Sequence, residues 1–310
     1  MKVTVLFGGP SAEREISLIS GRAVIQGLKE AGHEVFGSDV SPTDLTGLDR
    51  PCDVVFPVLH GEFGESGELQ EILEQRGVPF VGSGSRASRT GMDKVATKQA
   101  WQRAGLPTPS WRVVDFSQLH EPLHIRGSCV VKPIDSGSSI DVFVCKAPAE
   151  LEAQATAAIR EVAGKHGRAL VEQYISGVEL TVGLFEEKAL SPIRIVPKSE
   201  FFDYQAKYKS NSTEHRFDTG LRPELVAQCR ELARQANEVV GARDLSRIDI
   251  LIDQKTNQPY LLEINTMPGF TPRSLLPEAA AHDGIPFAQL VDRLVKRAQA
   301  RGAAGFRAAI

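Results

Sequence analysis

The sequence has few cysteines, few aromatic residues and little excess charge, and each shortage argues against a class of protein. Its 310 residues include four cysteines, 6% aromatic side chains and a formal net charge of -3. The cysteines lack C-x-x-C spacing, which favours small core residues in a reducing compartment over a metal site or a disulfide framework. The near-neutral charge gives no electrostatic reason to expect a nucleic-acid partner.

Long apolar runs are also missing. No run approaches the roughly 18 residues that a membrane span requires, so we expect no membrane contact. The N-terminal stretch MKVTVLFGGP turns into glycines after a short apolar run. It is predicted to be a first strand and not a signal peptide, and we expect a cytoplasmic protein.

The first third of the chain alternates between apolar strands and amphipathic helices. Strands are predicted at 2–9, 52–59 and 78–84, with helices at 17–32 and 67–77 between them. This order is typical of a parallel sheet covered by helices, in which ligands bind at the carboxyl ends of the strands. Glycine-rich polar segments follow all three strands and are candidate ligand loops: 8–15, 60–67 and 82–88.

From about residue 93 the pattern changes to adjacent short strands with fewer helices, which is typical of α+β structure. The polar segment 197–220 has no clean period, and loops of that length are commonly functional lids. We predict three units: 1–92, 93–175 and 176–310. The elements predicted after residue 92 are helices at 93–105 and 148–163, from about 223, and near 286–301, and strands at 129–134, 141–145, 169–175, 178–186, 246–253 and 259–265.

A predicted hairpin near the C-terminus carries a group of carboxylates. In SRIDILID (246–253), strict alternation places Arg247 and Asp249 on the face opposite Ile248. If residue 252 pairs with residue 260, Asp249 lies opposite Glu263 and Arg247 lies opposite Asn265, with Leu261 on the same face as Glu263 and Asn265. Opposed carboxylates repel, and a bound Mg²⁺ removes that penalty. The alternative is a solvated outer face in which Arg247 simply pairs with Asp249.

Other segments give weaker signals. Lys132 precedes a Gly/Ser-rich turn that could receive a phosphate, although a plain hairpin turn is the commoner explanation and the P-loop spacing is not met. GGPSAER lacks the dinucleotide-binding G-x-G-x-x-G pattern. Glu172 and Glu179 could be ordinary exposed charges. His60 could be a structural histidine that caps its own loop.

Together these segments resemble the D-alanine–D-alanine ligase family of the ATP-grasp fold, in order and over nearly the whole chain. The first and last of the matching segments are highly specific. The segments are GGPSAEREISLISG, PVLHGEFGESGELQ, VGSGSRAS with MDK, VVKPIDSGSS, VEQYISGVELTV, EFFDYQAKY, RIDILID and LLEINTMPGFTPRSLLP.

The resemblance implies an N-terminal α/β substrate-binding domain (1–92) and two α+β subdomains (93–175 and 176–310) that sandwich ATP under a lid near 197–220. It implies that one D-alanine is phosphorylated to an acyl phosphate, which the amine of a second D-alanine attacks. It also implies two Mg²⁺ (or Mn²⁺) ions and a homodimer formed through the N-terminal domain.

The implied residue roles fall into four groups. The metal ligands would be Asp249, Glu263 and Asn265. The adenosine and the phosphates of ATP would contact Lys94, Lys132, Glu172, Tyr174 and Glu179, with Lys207 at the γ-phosphoryl group. D-Alanine would contact Glu13, His60 and Ser274. Stabilisation of the reacting groups would come from Arg247 and the backbone N–H of Gly269, and closure of the lid from a triad of Glu13, Ser138 and Tyr208.

Three departures from the family pattern bear on these roles. Asp141 stands where the phosphate loop usually has a glycine, Ser246 stands where glycine is common, and His215 takes the aromatic place at the end of the lid. A carboxylate near ATP phosphates would repel them unless it points away or meets a metal ion. Two alternatives therefore remain: a ligase for another second substrate, such as D-lactate or D-serine, or a non-catalytic nucleotide-binding paralogue. Tyr208 favours D-alanine.

Overall fold

The computed structural model describes residues 1–119, 123–125, 127–137, 140–197 and 213–302. The first part of the chain forms a parallel sheet in the order β2-β1-β3. Its helices follow β1 and β3 in sequence, as in other α/β structures. The elements are β1 (Lys2–Gly8), α1 (Arg14–Glu30), β2 (Glu34–Val40), β3 (Val54–Pro57), α2 (Glu68–Gln75) and α3 (Ser85–Met92), with a short 3₁₀ turn at Thr46–Leu48.

The predicted parallel sheet is therefore confirmed, but one of its strands was wrongly assigned. Residues 78–84 contribute only an isolated bridge between Val55 and Phe80. The true third strand is β2, which the sequence analysis missed. Most of β2 is only half-buried at the edge of the sheet, so it shows neither an apolar run nor clean alternation.

An antiparallel sheet in the order β4-β7-β5-β6 forms the middle of the chain. The apolar face of its main helix packs on β5 and β7, with Ile159 and Val162 fully buried. The elements are α4 (Lys94–Arg103), β4 (Trp111–Asp115), β5 (Cys129–Lys132), β6 (Phe143–Cys145), α5 (Leu151–His166) and β7 (Arg168–Gln173), with a 3₁₀ turn at Phe116–Gln118.

A larger antiparallel sheet in the order β11-β10-β8-β12-β13, with β9 paired to β8, forms the last part. The elements are β8 (Gly177–Phe185), β9 (Lys188–Ala189), β10 (Ile193–Pro197), β11 (Thr213–Arg216), α6 (Pro223–Val240), β12 (Leu245–Asp253), β13 (Pro259–Asn265), α7 (Leu275–His282) and α8 (Phe287–Arg301). One core cluster joins β1 and β3 to α8 and Phe270, so the first sheet packs directly against this part. The α/β and α+β fold class is confirmed.

The hairpin of β12 and β13 keeps the predicted pairs but not the assumed register. Asp249 lies opposite Glu263 and Arg247 opposite Asn265, whereas Ile252 pairs with Pro259 and not with residue 260. A β-bulge that skips Leu262 accounts for the shift. Because of this extra residue, Leu261 turns into the core with Ile264 and does not share the face of Glu263, as the strict alternation had predicted.

The cysteines behave as the sequence predicts. All four are free thiols; Cys129, Cys145 and Cys229 are buried and Cys52 is half-buried. Burial raises the pKa of the Cys229 thiol to about 11, which is typical of an inert core residue. No helix among the described residues is both long enough and apolar enough to cross a membrane.

Candidate nucleotide and substrate site

A cavity of about 220 Å³ lies between the central sheet and the C-terminal sheet. Apolar side chains such as Val130, Val142 and Leu262 form part of its wall, and charged side chains from both sheets form the rest. Seven residues selected from the sequence line it: Lys94, Lys132, Glu172, Tyr174, Glu179, Asp249 and Glu263.

A larger and more open cavity of about 730 Å³ adjoins the first one. It shares Glu172 and Tyr174 with the smaller cavity but includes none of the other five selected residues. We therefore assign the candidate site to the smaller cavity, where charged groups and apolar walls converge as they do in ligand pockets.

Glu172 is the most deeply buried carboxylate in the wall of the cavity. Its side chain is 3% exposed, and its two oxygens contact the ammonium groups of Lys98 and Lys132. Burial alone would raise the pKa of Glu172, but the two lysines outweigh burial and lower it. Burial would likewise lower the pKa of Lys132, but Glu172 and Glu263 outweigh burial and raise it. The alternative of an ordinary exposed charge is therefore wrong for Glu172, while Glu179 is half-buried.

Arg247 and Asp249 form a paired floor on the hairpin. The guanidinium donates from Nε to Asp249 Oδ1 at 3.0 Å and from Nη2 to Oδ2 at 2.9 Å. Thr181 on the neighbouring β8 donates to the same Oδ1 at 2.6 Å. This pairing was expected if the hairpin had a solvated outer face. The two side chains are only 16% and 13% exposed, however, so the face is not solvated.

The hairpin also supplies the donor atoms that a divalent cation needs. The Asp249 and Glu263 carboxylates are cross-strand neighbours at the cavity, and Mg²⁺ is usually held by one or two carboxylates together with substrate phosphates. Asn265 is next along the strand, and its Oδ1 accepts a hydrogen bond from the backbone N–H of Met267 at 2.9 Å. Over the described part of the chain, no three His, Cys, Asp or Glu side chains come together as a metal site. The residues fit a cation whose remaining ligands come from phosphate and water.

The two loops after β1 and β3 meet in front of this hairpin. Ser11 Oγ donates to the carbonyl oxygen of His60 at 2.6 Å. Glu13 starts α1, and a Cβ on Gly61 would lie 3.2 Å from its Oε2, so the carboxylate rests against the second loop. His60 is 4% exposed and contacts Ser20 Oγ at 3.5 Å.

Glu65 completes this group and was missed by the sequence analysis. Its Oε1 lies 3.5 Å from His60 Nδ1, and its Oε2 accepts from the backbone N–H of Gly61 at 3.1 Å. Burial raises the pKa of the Glu65 carboxyl, while His60 opposes the increase. The contact between His60 and Glu65 lies within one loop, which agrees with the alternative that His60 is a structural histidine of its own loop. Glu65 lies in the candidate ligand loop 60–67, and a carboxylate in that loop was the available signal.

The third candidate loop does not join this site. Gly82 donates its backbone N–H to Asp244 Oδ2 at 2.9 Å, and Ser85 donates its backbone N–H to Glu74 Oε1 at 2.9 Å. Gly82 therefore helps to hold the first part of the chain against the C-terminal part, residues 85–88 belong to α3, and a ligand role for 82–88 stays a prediction.

Gly269 and Ser274 lie together beyond the hairpin. A Cβ at Gly269 would be only 3.1 Å from Ser274 Oγ, which explains why a glycine suits this position. Ser274 Oγ accepts from the backbone N–H of Thr271 at 3.0 Å, and the backbone N–H of Phe270 donates to Ser20 Oγ at 3.3 Å. The segment after β13 is thus tied to α1 near His60.

The predicted phosphate loop follows Lys132 and is described up to Gly137 and again from residue 140. Lys94 Nζ donates to the carbonyl oxygen of Ser136 at 2.6 Å, and burial lowers the pKa of Lys94. A Cβ on Gly137 would lie 3.7 Å from Glu13 Oε2, so the loop reaches the first domain. At the other end, Asp141 has φ +54°, the left-handed conformation that favours glycine.

The Asp141 side chain points to α5. Its carboxylate accepts from Lys165 Nζ and from His166 Nε2, both at 2.9 Å. The hydrogen bonds from His166 and Lys165 lower the pKa of Asp141. Asp141 therefore has the left-handed backbone conformation that favours glycine, and its negative charge is paired with Lys165 and His166 on α5.

Three selected residues, Ser138, Lys207 and Tyr208, lie outside the described residues. The same is true of most of the predicted lid at 197–220, of which residues 213–220 are described. Within that part, His215 lies in β11 and its Nδ1 is 2.7 Å from Glu278 Oε2 on α7.

Two family models match the chain: the D-ala D-ala ligase C-terminus over residues 100–296, and the D-ala D-ala ligase N-terminus over residues 37–83. A curated relative, D-alanine–D-alanine ligase B of Chromobacterium violaceum, is 43% identical over 295 residues, covering 93% of this chain and 95% of the relative.

Solved structures agree with these matches. The D-alanine–D-alanine ligase from Bacillus anthracis superposes with a TM-score of 0.82 at 28% identity, covering 98% of this chain and 99% of the other. Its complex with ATP gives a TM-score of 0.80 at 27% identity, with the same coverage of both chains. The VanG D-Ala:D-Ser ligase from Enterococcus faecalis gives 0.81 at 26% identity, covering 96% of this chain and 99% of the other.

Proposed function

Because the chain belongs to the D-alanine–D-alanine ligase family, we propose that it joins two D-alanine molecules to D-alanyl-D-alanine at the expense of ATP, as a step in making peptidoglycan precursors. The observation that carries the proposal is the cavity between two sheets in which Lys94 and Lys132 face Asp249 and Glu263. Cations and a carboxylate pair around one cavity suit a nucleotide that brings phosphates and a divalent cation.

The first step of the proposed reaction is phosphoryl transfer. A carboxylate oxygen of the first D-alanine attacks the γ-phosphorus of ATP, the bond from that phosphorus to the bridging oxygen breaks, and ADP leaves. Lys94 and Lys132 hold the phosphates, and Lys207 contacts the transferred group. Catalysis of such a step depends mainly on positioning and charge stabilisation.

The second step forms the peptide bond. The deprotonated amine of the second D-alanine attacks the acyl carbon of the acyl phosphate. The tetrahedral intermediate then expels inorganic phosphate, and the nitrogen loses a proton. Arg247 and the backbone N–H of Gly269 stabilise the developing oxyanion, and one such donor is typically worth about 3–4 kcal/mol.

The remaining selected residues bind and enclose the substrates. Glu13, with His60 nearby, binds the ammonium of the first D-alanine, and Ser274 binds the carboxylate of the second. Glu172 and Tyr174 line the adenine pocket, and Glu179 bonds the ribose. Ser138 and Tyr208 close the lid with Glu13, which protects the acyl phosphate from water.

We also infer that two Mg²⁺ or Mn²⁺ ions bind Asp249, Glu263 and Asn265. When bound, they would neutralise charge on the phosphates. The two carboxylates that lie across the hairpin from each other at the cavity support this inference, because carboxylate oxygens are the ligands that these cations prefer, although Arg247 already pairs with Asp249.

Three further proposals follow from membership of the family. The units 1–92, 93–175 and 176–310 act as a substrate-binding domain and two ATP-grasp subdomains. The chain forms a homodimer through the first unit, which light scattering of the purified protein tests directly. The enzyme works in the cytoplasm, where its ATP is made.

The central test measures phosphate release with ATP and Mg²⁺ in the presence and absence of D-alanine. We expect release to depend on D-alanine and the product to be the dipeptide. Phosphate release that D-alanine does not stimulate would reject the proposal. Tight ADP binding without turnover would instead support a non-catalytic paralogue, for which Asp141 in the place of a glycine was the one sequence feature; in the structure its carboxylate is paired with Lys165 and His166.

The second substrate is tested with a panel. The likeness to a D-Ala:D-Ser ligase at a TM-score of 0.81 means that the fold alone does not select the second substrate. We expect D-alanine to be used better than D-serine or D-lactate, as Tyr208 indicates. Faster turnover with D-serine or D-lactate would contradict that choice while leaving the ATP chemistry intact.

A further inference from the structure

Lys98 is the most deeply buried lysine beside the nucleotide cavity, and the proposed reaction gives it no role. It lies in the middle of α4 with 0% exposure. Burial, opposed by Glu172, lowers the pKa of Lys98 to about 8. A buried ammonium is costly unless its partners are fixed, so the position of each partner matters.

The contacts of Lys98 reach both sheets that enclose the cavity, one directly and the other through Thr108, which lies in the segment before β4. On one side, its ammonium contacts Glu172 Oε1 on β7 of the central sheet. On the other side, it donates to Thr108 Oγ1 at 2.7 Å, and that hydroxyl donates to the carbonyl oxygen of Leu261 on β13 at 2.9 Å. The backbone N–H of Leu261 returns a hydrogen bond to the Pro107 carbonyl at 2.9 Å. Lys98 therefore ties Glu172 to the strand that carries Leu262 and Glu263.

Glu172 still has capacity to accept a hydrogen bond. The residue lines the cavity, and each of its two oxygens contacts one lysine ammonium, which leaves lone pairs of the carboxylate for a further donor. An ionised carboxylate is only an acceptor. It therefore suits the exocyclic amine of adenine, which donates, and opposes the carbonyl oxygen at the same position of a keto purine.

We propose that Lys98 is a positioning residue of the nucleotide site: it holds the Glu172 carboxylate in place between the two sheets, and so favours adenine over a keto purine. This inference rests on the proposed place of Glu172 in the adenine pocket. Lys132 alone would still pair with Glu172, but its own ammonium would draw the carboxylate towards β5.

The test compares the binding of ADP and inosine diphosphate by titration calorimetry in the whole chain. In Lys98→Met, which keeps the length of the side chain, we expect ADP to bind about tenfold more weakly. We expect inosine diphosphate to change by less than about twofold, because it gains nothing from Glu172. Lys188→Met removes an exposed lysine on β9 and should leave both affinities unchanged.

Two variants separate positioning from a general loss of structure. Thr108→Val keeps the Lys98 charge but removes the tether to Leu261, so the preference for ADP should fall by about threefold. A folded Lys98→Met protein that keeps the wild-type ADP preference, or that weakens both nucleotides equally, would overturn the inference. If Lys98→Met fails to fold, an unchanged preference in Thr108→Val overturns it.

The binding assay is independent of turnover. A wild-type chain that binds ADP in preference to inosine diphosphate but releases no phosphate with D-alanine would refute the proposed function alone. Loss of nucleotide preference in Lys98→Met, with wild-type turnover established, would support both proposals.

Discussion

Two carboxylates on the same strand segment, Asp244 and Asp249, have different surroundings. Asp244 precedes β12, is 1% exposed, and accepts hydrogen bonds from Gly82, Arg297 and Arg301. These donors surround Asp244, and Asp244 lines neither of the two cavities. Asp249 also accepts from protein donors, but it faces Glu263 across the hairpin, and both line a cavity.

The groups around these two carboxylates indicate how a structural carboxylate can be distinguished from one that binds a ligand. A buried carboxylate that is surrounded by donors stabilises the packing between distant parts of the chain, and here that contact joins the segment between α2 and α3 to α8. A carboxylate that lies opposite another carboxylate leaves electrostatic repulsion for a ligand to relieve. Burial and an arginine partner are common to both, so neither feature discriminates.

The largest expected effect comes from Glu263→Gln, which removes one charge of the opposed pair without changing its size. We expect kcat to fall by about 10²–10³-fold because a cation ligand is lost. The free energy of unfolding should change little, since the relief of repulsion from Asp249 is offset by lost attraction to Lys94, Lys132 and Arg247. Steady-state kinetics over a range of Mg²⁺ concentrations and urea unfolding measure the two quantities. Unchanged turnover would break the assignment of the hairpin.

Asp244→Asn should give the reverse result. Breaking a buried ion pair by removing one partner typically costs about 3–5 kcal/mol, and asparagine tolerates the positive φ of +65° at this residue. We therefore expect a loss of about 3 kcal/mol in the free energy of unfolding. Turnover per folded molecule should stay within about twofold of wild type, since no bond to the cavity is removed. If Asp244→Asn had normal stability and low activity, the assignment of Asp244 as a structural carboxylate would be wrong.

The sequence predicted the members of the candidate site better than their surroundings. Alternation placed Asp249 opposite Glu263 correctly, because a two-residue period fixes which side chains share a face. It misplaced Leu261, because a bulge at Leu262 carries no distinctive residue that announces it. The partners of Asp244 also lay beyond prediction, since Arg301 and Gly82 are brought to it only by the packing of the sheets.

The roles of isolated charged residues were the hardest to predict. Lys98 looked like any polar residue of a helix, and only the packing of α4 under two sheets explains its burial. Asp141 would repel the ATP phosphates unless its side chain pointed away from them. Its orientation depends on φ and on partners 24 and 25 residues away on α5. Contacts between residues so far apart in sequence carry no local pattern.

A smaller effect is expected for Asn265→Ala. The change removes the oxygen that accepts from Met267 N–H, together with a weaker proposed cation ligand. We expect kcat to fall by about tenfold and the apparent Mg²⁺ affinity to weaken, while the fold survives. Asn257→Ala, on the exposed turn of the same hairpin, serves as a control for activity; at its positive φ of +57° this change adds backbone strain, so the stabilities of the two variants are not compared. An Asn265→Ala enzyme with wild-type kinetics would limit the cation site to the carboxylate pair.

The smallest effect is expected at Asp141, which lies near the site in sequence but resembles Asp244 in having its charge paired. Asp141→Gly keeps the left-handed backbone and loses an exposed ion pair worth at most about 1 kcal/mol, so the KM for ATP should change by less than about threefold. Asp141→Ala loses the same ion pair but keeps the Cβ at φ +54°, so it should be less stable than Asp141→Gly by about 1–2 kcal/mol.

The pH dependence of stability sharpens the same comparison. The folded pKa of Asp141 is lowered below its ordinary value of 3.8, mainly by hydrogen bonds from His166 and Lys165. Its contribution to stability is therefore complete above pH 3.8 and is lost as the pH falls through the lowered value. Urea unfolding should show the stability of wild type relative to Asp141→Gly falling as the pH is lowered from neutral into strong acid. A tenfold gain in ATP affinity in Asp141→Gly would show instead that the Asp141 carboxylate repels the phosphates. Asp141 would then act on the ligand, as Asp249 is proposed to do, and would not be a purely structural carboxylate.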